Sequence, residues 1–221
     1  MEGVTERMEE AEPMRLFLHG LGQGPESWDE TTGLLGDRRA ACPDLVRLCR
    51  EHGGGYPGLY RGLAGYCGEF DGPLDLCGLS LGAVLALHYT LEHPERVRSL
   101  ALVAGQLQMP GALLRLQNGV FRLMPAGAFA ETGLEKREMI RLTASMARLD
   151  FSGRAGEVSC PVLVLCGERD RANRRAAGQL AGAIPGARLR WVPGAGHEVN
   201  REAPGALARE LAAFWSGGGK A

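Results

Sequence analysis

The sequence predicts an α/β protein, a three-layer α/β/α sandwich built on a mostly parallel six-stranded sheet with a helical insertion. Two patterns lead there. Short apolar runs rich in branched residues, each about one strand long, alternate with longer segments whose apolar residues recur every three or four positions. The runs are continuously apolar, not alternating, which fits strands buried on both faces by flanking helices. A length of 221 residues suits one large domain.

Taken in order, residues 1–13 carry mixed charge and few apolar side chains, and are expected to form a flexible leader. The domain is expected over 14–216. Strands are predicted in MRLFLHG (14–20), PLDLCGLS (73–80), VRSLALVAG (97–105), PVLVLCGERD (161–170) and ARLRWVPG (187–194). A sixth is placed near Arg39 to Leu45, ahead of the glycine-rich HGGGYPGLYRG. Helical spacing covers Ser27 to Leu35, Gly82 to Glu92, Asn173 to Ala183 and Ala203 to Trp215. Residues 106–157 break the rhythm with helical patterns at Leu113 to Leu123 and Glu135 to Leu149 and no strand, so they read as an insertion packed over one sheet edge. Residues 217–221 form a glycine-rich tail.

Composition narrows the partners. With 25 basic and 26 acidic residues the net charge is −1, and no block of Lys or Arg supplies a counterion-release term, so nucleic acid is not an expected partner. The start of the chain lacks the apolar stretch of a signal peptide and no run of 18 apolar residues occurs, so a cytoplasmic protein without a membrane partner is expected. The six cysteines show no CxxC pair or zinc-like spacing, which predicts reduced thiols and no metal. A small-molecule substrate remains, handled by a monomer or homodimer.

The chemistry-bearing residues follow. Gly78-Leu79-Ser80-Leu81-Gly82 ends an apolar run and opens a helical one, so Ser80 stands on a sharp strand-to-helix turn whose crowding demands small neighbours. The same pentapeptide also suits a strand-ending glycine and a helix-capping serine. A nucleophilic serine needs a base, and the base needs a carboxylate to orient it. Of five histidines, His197 in VPGAGH sits on a glycine-rich loop past the last strand. Asp170 ends the 161–170 run, at the carboxyl end of a strand where α/β sheets bind ligands, with Glu168 and Asp150 as competitors. His19-Gly20-Leu21-Gly22 after the first strand offers a glycine-lined turn, and the N–H groups of Leu21 and Leu81 are the candidate oxyanion donors. His19 reads as a brace for that turn.

Together these motifs resemble the α/β-hydrolase superfamily. An HG loop after an early strand, GxSxG, an acid after a later strand and a GxGH loop near the end occur here in that family's order. The resemblance implies Ser80 as nucleophile, Asp170 as acid and His197 as base, on a shortened sheet without an N-terminal hairpin, with residues 106–157 as a short cap. It implies a carboxylic ester or thioester hydrolase for a small to medium, largely apolar acyl group, working without a cofactor through an acyl-enzyme. His19, Gly20, Gly22, Leu113 and Phe121 are the expected pocket residues. The alternatives are a carbon–carbon bond hydrolase or lyase resembling the menaquinone-pathway synthase, for which Arg115, Arg122, Arg137, Arg141 and Arg148 are available to hold an anion, and a non-catalytic small-molecule receptor.

Overall fold

The computed structural model describes residues 13–217 except Asp37. The expected leader lies, apart from Pro13, outside the described residues, as does most of the expected tail.

Six strands, β1 (Met14–Leu18), β2 (Ala40–Ala41), β3 (Leu74–Leu79), β4 (Val97–Val103), β5 (Val162–Gly167) and β6 (Arg188–Val192), form one sheet in the order β2-β1-β3-β4-β5-β6. Every pairing is parallel. Alternate residues of each strand feed two separate cores, which produces the three layers. Leu16, Leu18, Leu76, Leu100, Leu102 and Val164 join one core with α2 (Leu45–Glu51), α3 (Gly55–Gly68), α4 (Leu81–Glu92) and α7 (Arg174–Ala183). Phe17, Cys77, Ala101, Val103 and Leu165 face the other, filled by Trp28 and by Leu207, Leu211 and Phe214 of α9 (Pro204–Ser216), beside which lies α1 (Asp29–Leu35).

The two sheet edges differ from expectation. The strand predicted over Arg39 to Leu45 shrinks to two residues, because Asp44 accepts hydrogen bonds from the N–H groups of Val46 (2.9 Å) and Arg47 (3.0 Å) and starts α2 at Leu45. At the other edge β6 is not buried on both faces. Arg188 and Arg190 are exposed, with the Arg188 guanidinium over the Phe214 ring and Arg190 beside Glu210, so a charged row guards the open edge.

Helix α3 has no counterpart among the expected elements. Its glycines argue against a helix by propensity, yet a Cβ at Gly58 would stand 2.7 Å from the His52 carbonyl oxygen and one at Gly62 would stand 2.9 Å from that of Leu48. Close approach of α2 and α3 therefore requires glycine and offsets its entropic cost.

The insertion between β4 and β5 carries α5 (Gly111–Leu123) and α6 (Lys136–Met146), joined through a 3-10 turn at Ala126–Thr132. Its base is pinched by Phe151 N–H to the Leu107 carbonyl (2.8 Å) and Met109 N–H to the Leu149 carbonyl (3.0 Å). Helix α6 rests on α2 and α3, where Glu138 pairs with Arg50 and the Ser145 hydroxyl accepts the Tyr56 N–H at 2.8 Å. Leu134 and Leu142 of the insertion share a cleft with His19 to Gly22 after β1 and with Leu81 after β3.

Candidate active site

Ser80 occupies the turn from β3 to α4 with φ 53° and ψ −108°, a left-handed conformation that a non-glycine residue adopts at a cost of roughly 1–3 kcal/mol. The surroundings hold it there. Its N–H donates to the Val103 carbonyl (2.9 Å) and its carbonyl accepts from Val84 N–H (3.1 Å). A Cβ at Gly78 would lie 2.2 Å from the Gly82 carbonyl oxygen, and one at Gly82 would lie 2.0 Å from that of Leu18, so both positions exclude any side chain. Ser80 is partly exposed between buried Leu79 and Leu81, at the positive end of α4.

Asp170 stands beyond β5 in a turn closed by its own N–H to the Gly167 carbonyl (3.1 Å). His197 lies on the loop after β6. The two meet: His197 Nδ1 is 2.8 Å from Asp170 Oδ2. The carboxylate is nearly buried and can only accept, so Nδ1 carries the proton and Nε2 is left as the free basic nitrogen. Asn173 Nδ2 donates to both Asp170 oxygens at 2.9 Å and lies 3.1 Å from His197 Nδ1, where its hydrogens are already committed to the carboxylate, and its main-chain N–H reaches Oδ1 at 3.3 Å. Glu202, on the short helix α8 (Val199–Glu202), accepts the N–H groups of Gly196 (2.7 Å) and Glu198 (3.2 Å) on either side of His197. Of the three candidate acids only Asp170 bonds to His197 among the described residues. Glu168 instead accepts Gly194 N–H at 3.2 Å, and Asp150 binds Ser152 and Gln108. The Ser80 hydroxyl and His197 Nε2 make no hydrogen bond among the described residues, to each other or elsewhere, so the structure joins Asp170 to His197 and leaves Ser80 uncoupled from them.

The turn after β1 is braced as its histidine suggested. His19 Nε2 accepts the Leu45 N–H (3.1 Å), which fixes the proton on Nδ1, and Nδ1 donates to the Gly20 carbonyl (2.9 Å). Burial holds the His19 imidazole below its ordinary value of 6.5 and keeps it neutral in this role. Among the described residues the N–H groups of Leu21 and Leu81 have no main-chain or side-chain acceptor. Both residues line a narrow, mainly apolar cleft with His19, Gly20 and Gly22, whose remaining walls are Leu45, Val46, Cys49, Leu59, Leu134 and Leu142.

The pocket expectation is corrected in part. Leu113 is 60% exposed and Phe121 packs edge-on against Phe129 at 5.2 Å, so neither lines the cleft. Helix α5 turns Leu113, Leu116, Val120 and Leu123 outward together, and the cap reaches the cleft through Leu134 and α6 instead. Composition shows that the cap carries surplus apolar side chains but not which of its faces looks inward. Arg115, Arg122, Arg137, Arg141 and Arg148 are all exposed and none is a wall of the cleft. Sequence reasoning also missed Asn173, whose signal was only its place three residues after Asp170, where an Asx-type turn contact is common.

The six cysteines are free. Burial raises their thiols, Cys42 and Cys67 to about 12 and Cys160 and Cys166 to about 11, so the thiolates that metals and electrophiles require are disfavoured. No group of three or more His, Cys, Asp or Glu among the described residues is placed to hold a metal, and no described helix is long and apolar enough to cross a membrane.

The model of the Alpha/beta hydrolase family matches residues 16–210, which includes the elbow, the acid turn and the histidine loop. The chain belongs to the alpha/beta hydrolase family. Similar curated proteins include a pimeloyl-[acyl-carrier protein] methyl ester esterase of Chromobacterium violaceum, 29% identical over 83% of this chain and 91% of the relative. A putative carbamate hydrolase RutD of Klebsiella pneumoniae is 26% identical, over 85% of each. Among solved structures, the enol-lactonase of Burkholderia xenovorans shares the fold with a TM-score of 0.80 at 18% identity, over 94% of this chain and 93% of that one.

Proposed function

We propose that the protein is a serine hydrolase of carboxylic esters or thioesters with a small to medium, uncharged and largely apolar acyl group. His197 Nε2 takes the proton of the Ser80 hydroxyl as the oxygen attacks the acyl carbonyl carbon. The tetrahedral oxyanion accepts from the N–H groups of Leu21 and Leu81, and Asp170 stabilises the imidazolium that forms. His197 then hands its proton to the leaving alcohol or thiol, leaving an acyl-Ser80 ester. Water, deprotonated by the same nitrogen, splits that ester and returns Ser80.

The observation that carries this reading is the Asp170–His197 hydrogen bond, made by a nearly buried carboxylate, which favours the imidazole tautomer a base needs while Ser80 is held on a strained elbow. Apo structures often leave the nucleophile–base contact loose until substrate arrives. The apolar cleft beside Leu21 and Leu81 suits an uncharged acyl chain. A polar groove of about 350 Å³ continues from Gly22 and Val46 past Glu26, Asp44, Arg50 and Arg201, and suits a polar leaving group. The relatives named for an ester and a carbamate lend support to attack at a carbonyl carbon.

The test is labelling with a fluorophosphonate probe alongside turnover of p-nitrophenyl acetate and butyrate. Ser80→Ala should abolish labelling and lower kcat by about 10⁴–10⁶. Parental turnover in Ser80→Ala would remove the serine mechanism. Ligand-induced melting shifts without turnover would instead identify a receptor.

A further inference from the structure

Two loops from opposite ends of the chain are joined beneath the candidate site by a pair of buried amides. Gln23 follows the His19–Gly22 turn and Asn200 lies in α8, three residues after His197, and both are almost completely buried. Gln23 Nε2 donates to Asn200 Oδ1 (3.3 Å), and Asn200 Nδ2 donates back to Gln23 Oε1 (3.2 Å). Each amide is also anchored to main chain. Gln23 Oε1 accepts the Gly20 N–H (3.1 Å), and Asn200 Nδ2 donates to the Ser27 carbonyl (3.1 Å). These main-chain partners fix which end of each amide is oxygen and which is nitrogen, because an N–H can meet only an acceptor and a carbonyl only a donor.

We propose that Gln23 and Asn200 are positioning residues that lock the oxyanion turn to the histidine loop. The inference rests on the hydrolase reading above. Gln23 satisfies both polar groups of Gly20, taking its N–H through Oε1 and donating its own N–H to the Gly20 carbonyl at 3.2 Å. The turn is thereby closed around Leu21 and Gly22, and the Leu21 N–H is left free to face the cleft. On the other side, α8 carries Asn200 two residues before Glu202, whose carboxylate holds the N–H groups flanking His197. One four-residue helix therefore sets the base through Glu202 and the oxyanion donor through Asn200.

Packing alone does not call for this pair. Apolar side chains of similar volume would fill the site without desolvating two amides, whereas reciprocal amide pairing allows a single register. An oxyanion donor is worth most when its position is set before charge develops, so the pair should contribute to the transition state and little to substrate binding.

The experiment measures kcat per active site, titrated with the fluorophosphonate, together with KM and inhibition by phenylboronic acid, which mimics the tetrahedral adduct. Gln23→Met keeps the length of the side chain and loses its hydrogen bonds. It should lower kcat roughly ten- to hundredfold with KM changed less than about twofold, and weaken the boronate in parallel. Gln23→Glu retains an acceptor for the Gly20 N–H and the Asn200 amide but loses the donation to Asn200 Oδ1, and should recover part of the loss in kcat per site. Should Gln23→Met fail to fold, Asn200→Asp keeps the acceptor for Gln23 and removes both donations, and should show the same kcat-selective loss on a smaller scale. A merely structural role would lower Tm or the titrated fraction while leaving kcat per site and boronate affinity at parental values, and that result overturns the proposal. Failure of the hydrolase reading looks different, since parent and Ser80→Ala would then match and neither would label.

Discussion

Replacing Asp170 with Asn tests the acid–base pair most directly, because the outcome depends on a choice between two amide orientations that the structure allows to be worked out. The Oδ2 site receives His197 Nδ1–H at 2.8 Å and Asn173 Nδ2 at 2.9 Å, while the Oδ1 site receives Asn173 Nδ2 at 2.9 Å and the Asn173 N–H at 3.3 Å. An asparagine offers one oxygen. With that oxygen in the Oδ2 site, its NH₂ confronts two Asn173 donors at Oδ1. With the oxygen in the Oδ1 site, both Asn173 donors keep an acceptor and the NH₂ faces His197 Nδ1, which must give up its proton and accept. The second arrangement leaves fewer donors opposed, and it moves the imidazole proton to Nε2, where a base must be bare. A wrong-tautomer histidine costs about 10⁴ in kcat, or roughly 5.5 kcal/mol at about 1.36 kcal/mol per tenfold. Stopped assays of p-nitrophenyl butyrate hydrolysis between pH 6 and 9, with circular dichroism to confirm folding, read this out. Asp170→Asn within tenfold of the parent at every pH would refute the tautomer argument.

Three further outcomes follow from particular contacts. Gly82→Ala places a Cβ 2.0 Å from the Leu18 carbonyl oxygen, main chain with no room to retreat, and should cost about 1–3 kcal/mol in urea unfolding and at least 10²-fold in kcat, whereas Gly178→Ala, with nothing within 4 Å on exposed α7, should add about 0.5–1 kcal/mol and leave kcat unchanged. Asp75 is fully buried in β3, where its carboxylate accepts from Arg98, from the Ser99 hydroxyl (2.6 Å) and faces Arg15 (3.6 Å); Asp75→Ala should lose about 3–5 kcal/mol in the same titration, with kcat of the folded fraction intact. Burial lowers both His19 and His88 below their ordinary 6.5, so the unfolded chain binds more protons once the pH falls beneath that value; Tm should hold above pH 7 and drop on acidification, with a limiting slope of about 1.4 kcal/mol per pH unit for each group, and His88→Phe, which keeps the ring between Tyr60 and Phe151, should flatten the drop.

What the chain discloses in advance divides along physical lines. β1, β3, β4 and β5 are readable because a strand buried on both faces must be continuously apolar, and Leu74–Leu79 is buried at every residue. β6 is legible in position but not in surroundings, since an edge strand with Arg188 and Arg190 has one side that no neighbour covers. Helix α3 is not legible because its glycines answer to contacts with Leu48 of α2 and with His52 just beyond it, and propensity contains no term for such an approach. At the site, Ser80, Asp170 and His197 each carry a local cue, being a small-residue elbow, a strand end and a glycine-rich loop. Gln23, Asn173 and Asn200 carry none strong enough, because an amide acquires its role from a partner, and that of Gln23 lies 177 residues away. Pocket walls fail for a related reason, as apolar residues on α5 and α6 look alike until the cap is docked.

The rigidity of the candidate site is unevenly distributed, and this bears on how its last contact forms. Ser80 has little room to move its main chain, since its N–H is bound to Val103, Gly78 and Gly82 are crowded by neighbouring backbone, and its φ of 53° with ψ of −108° is a strained conformation held by those surroundings. Asp170 is equally confined by Asn173 and by its own turn. His197 differs: its side chain is 42% exposed, and it is held through Nδ1 and through loop contacts made by Glu202, with nothing bound to Nε2 among the described residues. Rotation of the ring about its Asp170 contact breaks no other side-chain hydrogen bond to a carboxylate, because Nε2 has no partner among the described residues. Of the three side chains, His197 is therefore the one with freedom to adjust, and under the proposed hydrolase mechanism the contact between its Nε2 and the Ser80 hydroxyl would be completed from the histidine side.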